Sequence, residues 1–318
     1  MTTQPANVSV TLPVSQAIDR VKLLLFKPFD IGKWFIIGFC AWLAYLGEQG
    51  ARANFNFGGN YGNRDRDVSQ DVERARDYVV ENLHWIIPVA VVLVLLVFAL
   101  WVVFTWLNSR GKFMFLHCVA LNKAEVVVPW DKFSREGNSL FWFRFALGLI
   151  GTVMTLPLVA LIAVSIYGMV RHGRPSVVAI AIAAAGVLLL IAIAIVFALI
   201  NKFAVDFVVP IMFLRRRKCL EAWGEFRHLL TANGSNFALY ILFSIVLAVI
   251  IETMVLFIVL LTCCIACCFL AIPYVGTVLL LPVFAFKRSY SLHYLAQFGS
   301  EYDVFQAAVS PTTAAPAV

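Results

Sequence analysis

The sequence predicts an all-α, polytopic membrane protein with six transmembrane helices. Three observations carry that prediction. Six apolar stretches of 17–28 residues punctuate the chain, and a bilayer span needs about 20. The composition is 62% hydrophobic and 14% charged, where a soluble domain carries about 25% charged residues. No segment alternates apolar and polar residues as barrel strands do, so helices must satisfy the backbone within lipid.

The elements follow in order. Met1 to Gln16 lacks a basic patch with an apolar run and a small-residue cleavage site, so no signal peptide is expected and the first span stays as anchor. Val14, Ala17, Ile18, Val21, Leu24 and Leu25 recur at helical spacing, which predicts an amphipathic helix lying in the inner interface. Ile31–Gly47 is the first span. Glu48 to His84 is an exterior loop, with a Gly/Asn-rich stretch from Asn54 to Asn63 that favours turns. A charged stretch follows, in which Asp67, Asp71 and Arg74 have the spacing of a short exposed helix. The clearest span is Trp85–Leu107, 23 residues without a charge. Leu140–Tyr167 and Val177–Ile200 are the third and fourth spans, joined by a short exterior turn holding Arg171 and Arg174. Cys219, Ala222, Trp223, Phe226, Leu229 and Leu230 form one face of a second amphipathic helix. Phe237–Leu261 and Phe269–Phe286 complete the six. The Pro/Ala/Thr-rich end predicts a disordered tail over 301–318.

These elements suggest three copies of one unit, covering 14–122, 126–218 and 219–300 of a single membrane domain over 1–300. Laying Ala17 over Ala222 superposes Ile18 on Trp223, Val21 on Phe226 and Leu25 on Leu230. Pro129-Trp130-Asp-Lys-Phe133 matches Ala222 to Phe226 as a shorter copy. Returning spans share Pro210 to Arg217 with Pro282 to Ser289, and Leu116-His117 with Leu292-His293. Each unit reads as an interfacial helix, a turn, a span outward and a span back.

Charge placement sets the topology. Eighteen Lys and Arg residues flank the spans on the side of the termini, among them Arg110, Lys112 and Arg144 after the second span and Lys287 and Arg288 after the sixth. Seven lie opposite: Arg52, Arg64, Arg66, Arg74, Arg76, Arg171 and Arg174. The positive-inside rule puts both termini in the cytoplasm. Topogenic charge explains the net charge of +7, and no basic–aromatic stripe on a soluble face points to nucleic acid.

Four features are candidates for chemistry. Glu252 lies inside the fifth span, where a charge costs about 2.5–3.5 kcal/mol on insertion scales. It reads either as a proton, ion or substrate site, with Arg171 and Arg174 as nearest candidate partners, or as a structural hydrogen-bonding group that reaches a neighbouring helix or the outer interface. Arg215, Arg216, Arg217 and Lys218 read as a topology anchor or as a lipid-phosphate contact, worth about 1 kcal/mol per residue at an anionic surface. Cys263-Cys264-Ile-Ala-Cys267-Cys268 contains a CxxC pair, but its apolar flanks lack histidine and suit packing better than metal. Lys202 and Asp206 have the spacing of a helical ion pair. His117 and His293 read as solvated. No HExxH, GxSxG or Walker loop is present, so neither enzyme nor cofactor is expected.

Asn108 to His117, Pro129 to Ser139, Asp206-Phe-Val-Val-Pro210 and Pro273-Tyr-Val-Gly through Tyr290 resemble a group of uncharacterised bacterial six-span proteins. That group is distantly similar to the membrane domain of glycerophosphodiester phosphodiesterases. The resemblance implies a bacterial inner membrane; with no phosphodiesterase domain in the chain, it implies no reaction. The expected role is then a non-enzymatic lipid-binding or membrane-assembly protein, its partners membrane lipids and another membrane protein. The alternatives are a transporter or channel using Glu252, and a lipid-modifying membrane enzyme.

Overall fold

The computed structural model describes residues 8–47, 81–172, 176–262, 269–270 and 272–309. Residues 48–80 of the exterior loop predicted over 48–84, Arg174 and the Cys263–Cys268 cluster lie outside the described residues. Among those described, every regular element is a helix.

Helix α1 (Leu12–Val21) runs into a π-helical turn (Lys22–Phe26). Its predicted face is buried at Ala17, Val21, Leu24 and Leu25. Ile18, expected on that face, is exposed. Helix α2 (Ile31–Tyr45) starts at Asp30, whose carboxylate accepts from the Gly32 amide at 2.8 Å, a standard N-cap. It is two residues shorter than the predicted first span: 15 residues reach about 22 Å, against roughly 30 Å for a hydrocarbon core. Its end is set by Leu46, which leaves the helical region, and by Gly47 at φ +83.

Among the described residues, four helices are long and apolar enough to cross a membrane. They are α3 (Leu83–Leu121), α5 (Ser134–His172), the run from α6 (Val177–Phe203) through a second π turn (Ala204–Val208) into α7 (Val209–Arg215), and α9 (Gly234–Leu261). The chain is therefore a helical membrane protein. Short helices α4 (Val127–Lys132) and α8 (Cys219–Ala232) precede α5 and α9, and Cys219, Ala222 and Phe226 on α8 are buried as predicted.

The sixth predicted span is not one helix. It divides at Leu280 into α10 (Pro273–Leu279) and α11 (Leu281–Ala296). Pro282 in the first turn of α11 has no amide to continue the ladder from α10. Residues 301–309, expected to open the disordered tail, include helical turns at Ser300–Tyr302 and Val304–Val309 (α12), with Tyr302 and Val304 buried.

The core gathers at the basic end. There α1, α2, the last turns of α3, the π turn with α7, α8, the first turns of α9 and α11 pack around buried Phe207, Phe226, Phe237, Tyr240 and Tyr294. Phe207 stacks on Phe226 at 5.3 Å, and Phe237 on Phe298 at 5.0 Å. Away from that end the long helices are mostly exposed. Arg144, counted among the basic residues that flank the spans, lies within α5, about 15 Å along the axis from its start.

Candidate functional site

The early end of α2 creates the site. A helix that stops inside the protein leaves carbonyls without intrahelical partners. On α3, Asn108 Nδ2 donates to the carbonyls of Ala44 and Leu46 at 2.8 and 2.9 Å, and Lys112 Nζ to that of Ala44 at 3.2 Å. Gly111, on the same face, permits the approach: a Cβ there would lie 2.5 Å from Ala44 N and Leu43 C. The cations also suit the negative end of the α2 dipole. Arg144 reaches across from α5 and donates to Asn108 Oδ1.

Over this polar floor opens a cavity of about 450 Å³. Its walls are Val97, Leu100, Trp101 and Phe104 of α3, and Leu46 and Gly47 form its rim at the end of α2. Asn108 and Arg144 close the base. The result is a groove with one cationic end and apolar sides, within helices of membrane length. Such a shape fits an amphiphile with an anionic group at the base and a chain along the wall.

A second polar layer gathers around Asp206. Lys202 Nζ and Tyr240 Oη both donate to Asp206 Oδ2, at 2.8 and 2.9 Å, so the ion pair expected from spacing is present. The π turn frees the carbonyl of Val205, which accepts from Arg288 Nη1 at 2.6 Å. Arg288 is 4% exposed, and its Nε and Nη2 have no hydrogen-bond partner among the described residues. Burial pushes its guanidinium down, opposed by nearby Tyr45, Asp206 and Tyr240. Tyr45 connects the layers: its ring stacks on Phe284 at 4.4 Å and lies 5.5 Å from Lys112 Nζ.

The residues predicted from sequence fall elsewhere. Glu252 has an exposed side chain on α9, about 27 Å from the start of that helix, and is not part of the groove. Arg171 is exposed near the far end of α5. Arg215 pairs with Glu225 and Glu301 at 3.2 and 2.8 Å, Arg216 with Glu136 at 3.4 Å, and Arg217 with Glu225 at 4.0 Å. Lys218 is exposed at the start of α8. The histidines expected in solvent are not there: His117 is buried beside Glu125, and the His293 ring stacks on Phe305 at 4.3 Å.

Sequence reasoning missed Lys112, Arg144 and Arg288 because it counted them as topogenic charge. One signal was available. Aligning Leu116-His117 with Leu292-His293 sets Lys112 on Arg288, and both are buried on returning helices.

The profile of DUF7544, described as a family of unknown function, matches residues 9–281. The chain belongs to that family. No curated protein and no solved structure matches it.

Proposed function

We propose that this DUF7544 chain is a non-enzymatic lipid-binding protein of the bacterial cytoplasmic membrane. The groove between the end of α2, α3 and α5 is its ligand site. The observation that carries the reading is the pairing of Arg144 and Asn108 at the base with Trp101, Phe104, Leu100 and Val97 along the wall. A phospholipid phosphate meets the guanidinium, and an acyl chain follows the apolar face. The exposed apolar residues Leu12, Phe26, Phe29, Val127, Val128 and Leu220 near the basic end suit immersion in the inner interface, beside the same lipids.

The finer topology belongs to the same proposal. It has six crossings, with α2 as a short first and Phe269–Phe286, through α10 into the first turns of α11, as a short last, arranged as three repeats with both termini inside. Its distant likeness is to phosphodiesterase membrane domains. Cysteines placed at Asn60 and Ser310 should react from opposite sides of intact cells or spheroplasts; labelling of both from outside sinks this arrangement.

Lipid binding is tested on protein purified in mild detergent and washed to constant phosphorus content. Wild type should retain phospholipid, and Arg144→Gln should lose most of it. Leu100→Trp fills the groove without touching the charge and should lose it too. Equal retained lipid in all three overturns the reading.

A further inference from the structure

We propose that the side-on edge of Arg288 is an enclosed binding site for a small oxyanion, distinct from the groove. Three observations lead there. Among the described residues only Nη1 is used, on the Val205 carbonyl. Nε and Nη2, the two remaining donor atoms, are shut off from solvent and have no partner among those residues. These two atoms present parallel N–H groups in one plane, the edge on which a guanidinium takes two oxygens of a carboxylate or phosphate. Buried polar donors are almost always satisfied, so an intact fork of two empty donors indicates an ion or ordered water that belongs there.

The protein's own carboxylate does not fill the position. Asp206 lies near enough to act on Arg288 electrostatically, but its Oδ2 accepts from both Lys202 and Tyr240. The Val205 carbonyl in the π turn holds the guanidinium through Nη1, and the Nε and Nη2 atoms are buried. Tyr45 of α2 also lies near enough to act on Arg288 electrostatically. A bound oxyanion would supply the two acceptors and the negative charge that the local set of Lys202, Asp206 and Arg288 lacks. Because the donor atoms are closed off, the anion is one acquired during folding or assembly and retained.

The experiment uses full-length protein in detergent. Bound phosphorus is divided into solvent-extractable phosphorus, which marks a lipid headgroup, and phosphate released into water by acid, which marks a free anion. Thermal stability is then followed against inorganic phosphate and, separately, against acetate. Wild type should show a saturable rise in melting temperature with one of these probes or stoichiometric retained phosphorus. Arg288→Lys keeps the charge but not the fork, and should need at least tenfold more anion for half-saturation or lose the retained phosphorus. Arg144→Gln, which should lose the solvent-extractable lipid phosphorus of the groove, should leave the anion-dependent rise in melting temperature and the water-released phosphate unchanged, which separates a failure here from a failure of the groove. The proposal is overturned if Arg288→Lys and Arg288→Gln respond as wild type does, or if wild type holds no phosphorus and responds to neither anion. Should Arg288→Gln not fold, the Arg288→Lys comparison alone decides.

Discussion

The two ends of the long helices are built on different principles. In the most apolar 18-residue windows of α3, α5 and α9 no residue is buried, and in the α6–α7 run 6% are. At the basic end the same helices contribute side chains with no exposure at all, such as Phe113, Phe207 and Phe237. Lipid explains the first half of the contrast. Acyl chains are as apolar as leucine, so bringing apolar helices together there gains little beyond close packing. What contact exists depends on small residues, as where Gly148 meets Trp101 and Gly186 meets Ile162. At the basic end, aromatic stacking and buried polar groups require specific neighbours. The fold is specified at one end, and the remainder of each span is left for lipid.

That contrast can be broken by substitution, beginning with the largest effect. Gly111→Val should abolish folded protein, because its side chain meets the backbone of Leu43 and Ala44; overpacking costs about 1–3 kcal/mol, and more where backbone cannot yield. Gly186→Val meets only the flexible end of Ile162 and should be far milder. Yield of monodisperse protein and melting temperature read both. Equal effects would mean that the outer parts are as specified as the inner.

Next, Phe226→Ala should cost about 3–5 kcal/mol, since its ring is enclosed by Phe203, Phe207 and Phe237. Phe257→Ala, exposed on the outer part of α9, should change stability by about 0.5 kcal/mol or less. Denaturant or thermal unfolding in one detergent compares them directly.

A smaller effect comes from pH. Burial pushes the His293 imidazole down to about 4, with Arg20 acting in the same direction and Asp303 against it. An unfolded histidine takes its proton near pH 6.5. The stability this neutral group provides is therefore complete above about pH 6.5 and is lost as pH falls from there toward 4. With partial exposure screening the charge, the loss is on the order of 1–2 kcal/mol. His293→Phe should flatten the difference in melting temperature between pH 7.5 and pH 5; an unchanged pH dependence assigns it to other groups.

The smallest change is expected at Glu252. Both Glu252→Gln and Glu252→Leu should leave melting temperature near that of wild type, because the side chain is exposed on α9, away from the packed end. A large loss from either would place structural weight in the outer half. Loss of a cellular phenotype with Glu252→Gln, at unchanged stability, would instead favour the transport alternative.

Much of the fold was legible because it depends on local pattern. The apolar runs marked four membrane-length helices, and the face from Cys219 to Phe226 marked α8. The pairing of Lys202 with Asp206 followed from their spacing along one helix. The misses have nonlocal causes. Ile18 fits the apolar spacing of α1, but no neighbour among the described residues covers it. The sixth stretch is apolar throughout, yet Pro282 falls where the ladder must break. Arg144, Lys112 and Arg288 resemble ordinary positive-inside residues, and counting by loop hides them.

By itself, then, the sequence determined that this chain is helical, that it belongs in a membrane, and that its basic residues collect toward one end, since hydropathy and charge act residue by residue. Only the tertiary structure decided that α2 stops short, that a groove forms over its exposed carbonyls, and that three of those basic residues turn inward. The physical reason is that a buried cation is tolerated only where other elements supply acceptors. Here those acceptors are the open carbonyls of Ala44 and Val205 and the side chain of Asn108. One carbonyl is exposed by a helix end and the other by a π turn; no spacing rule marks either, and each meets its donor only when distant segments are packed.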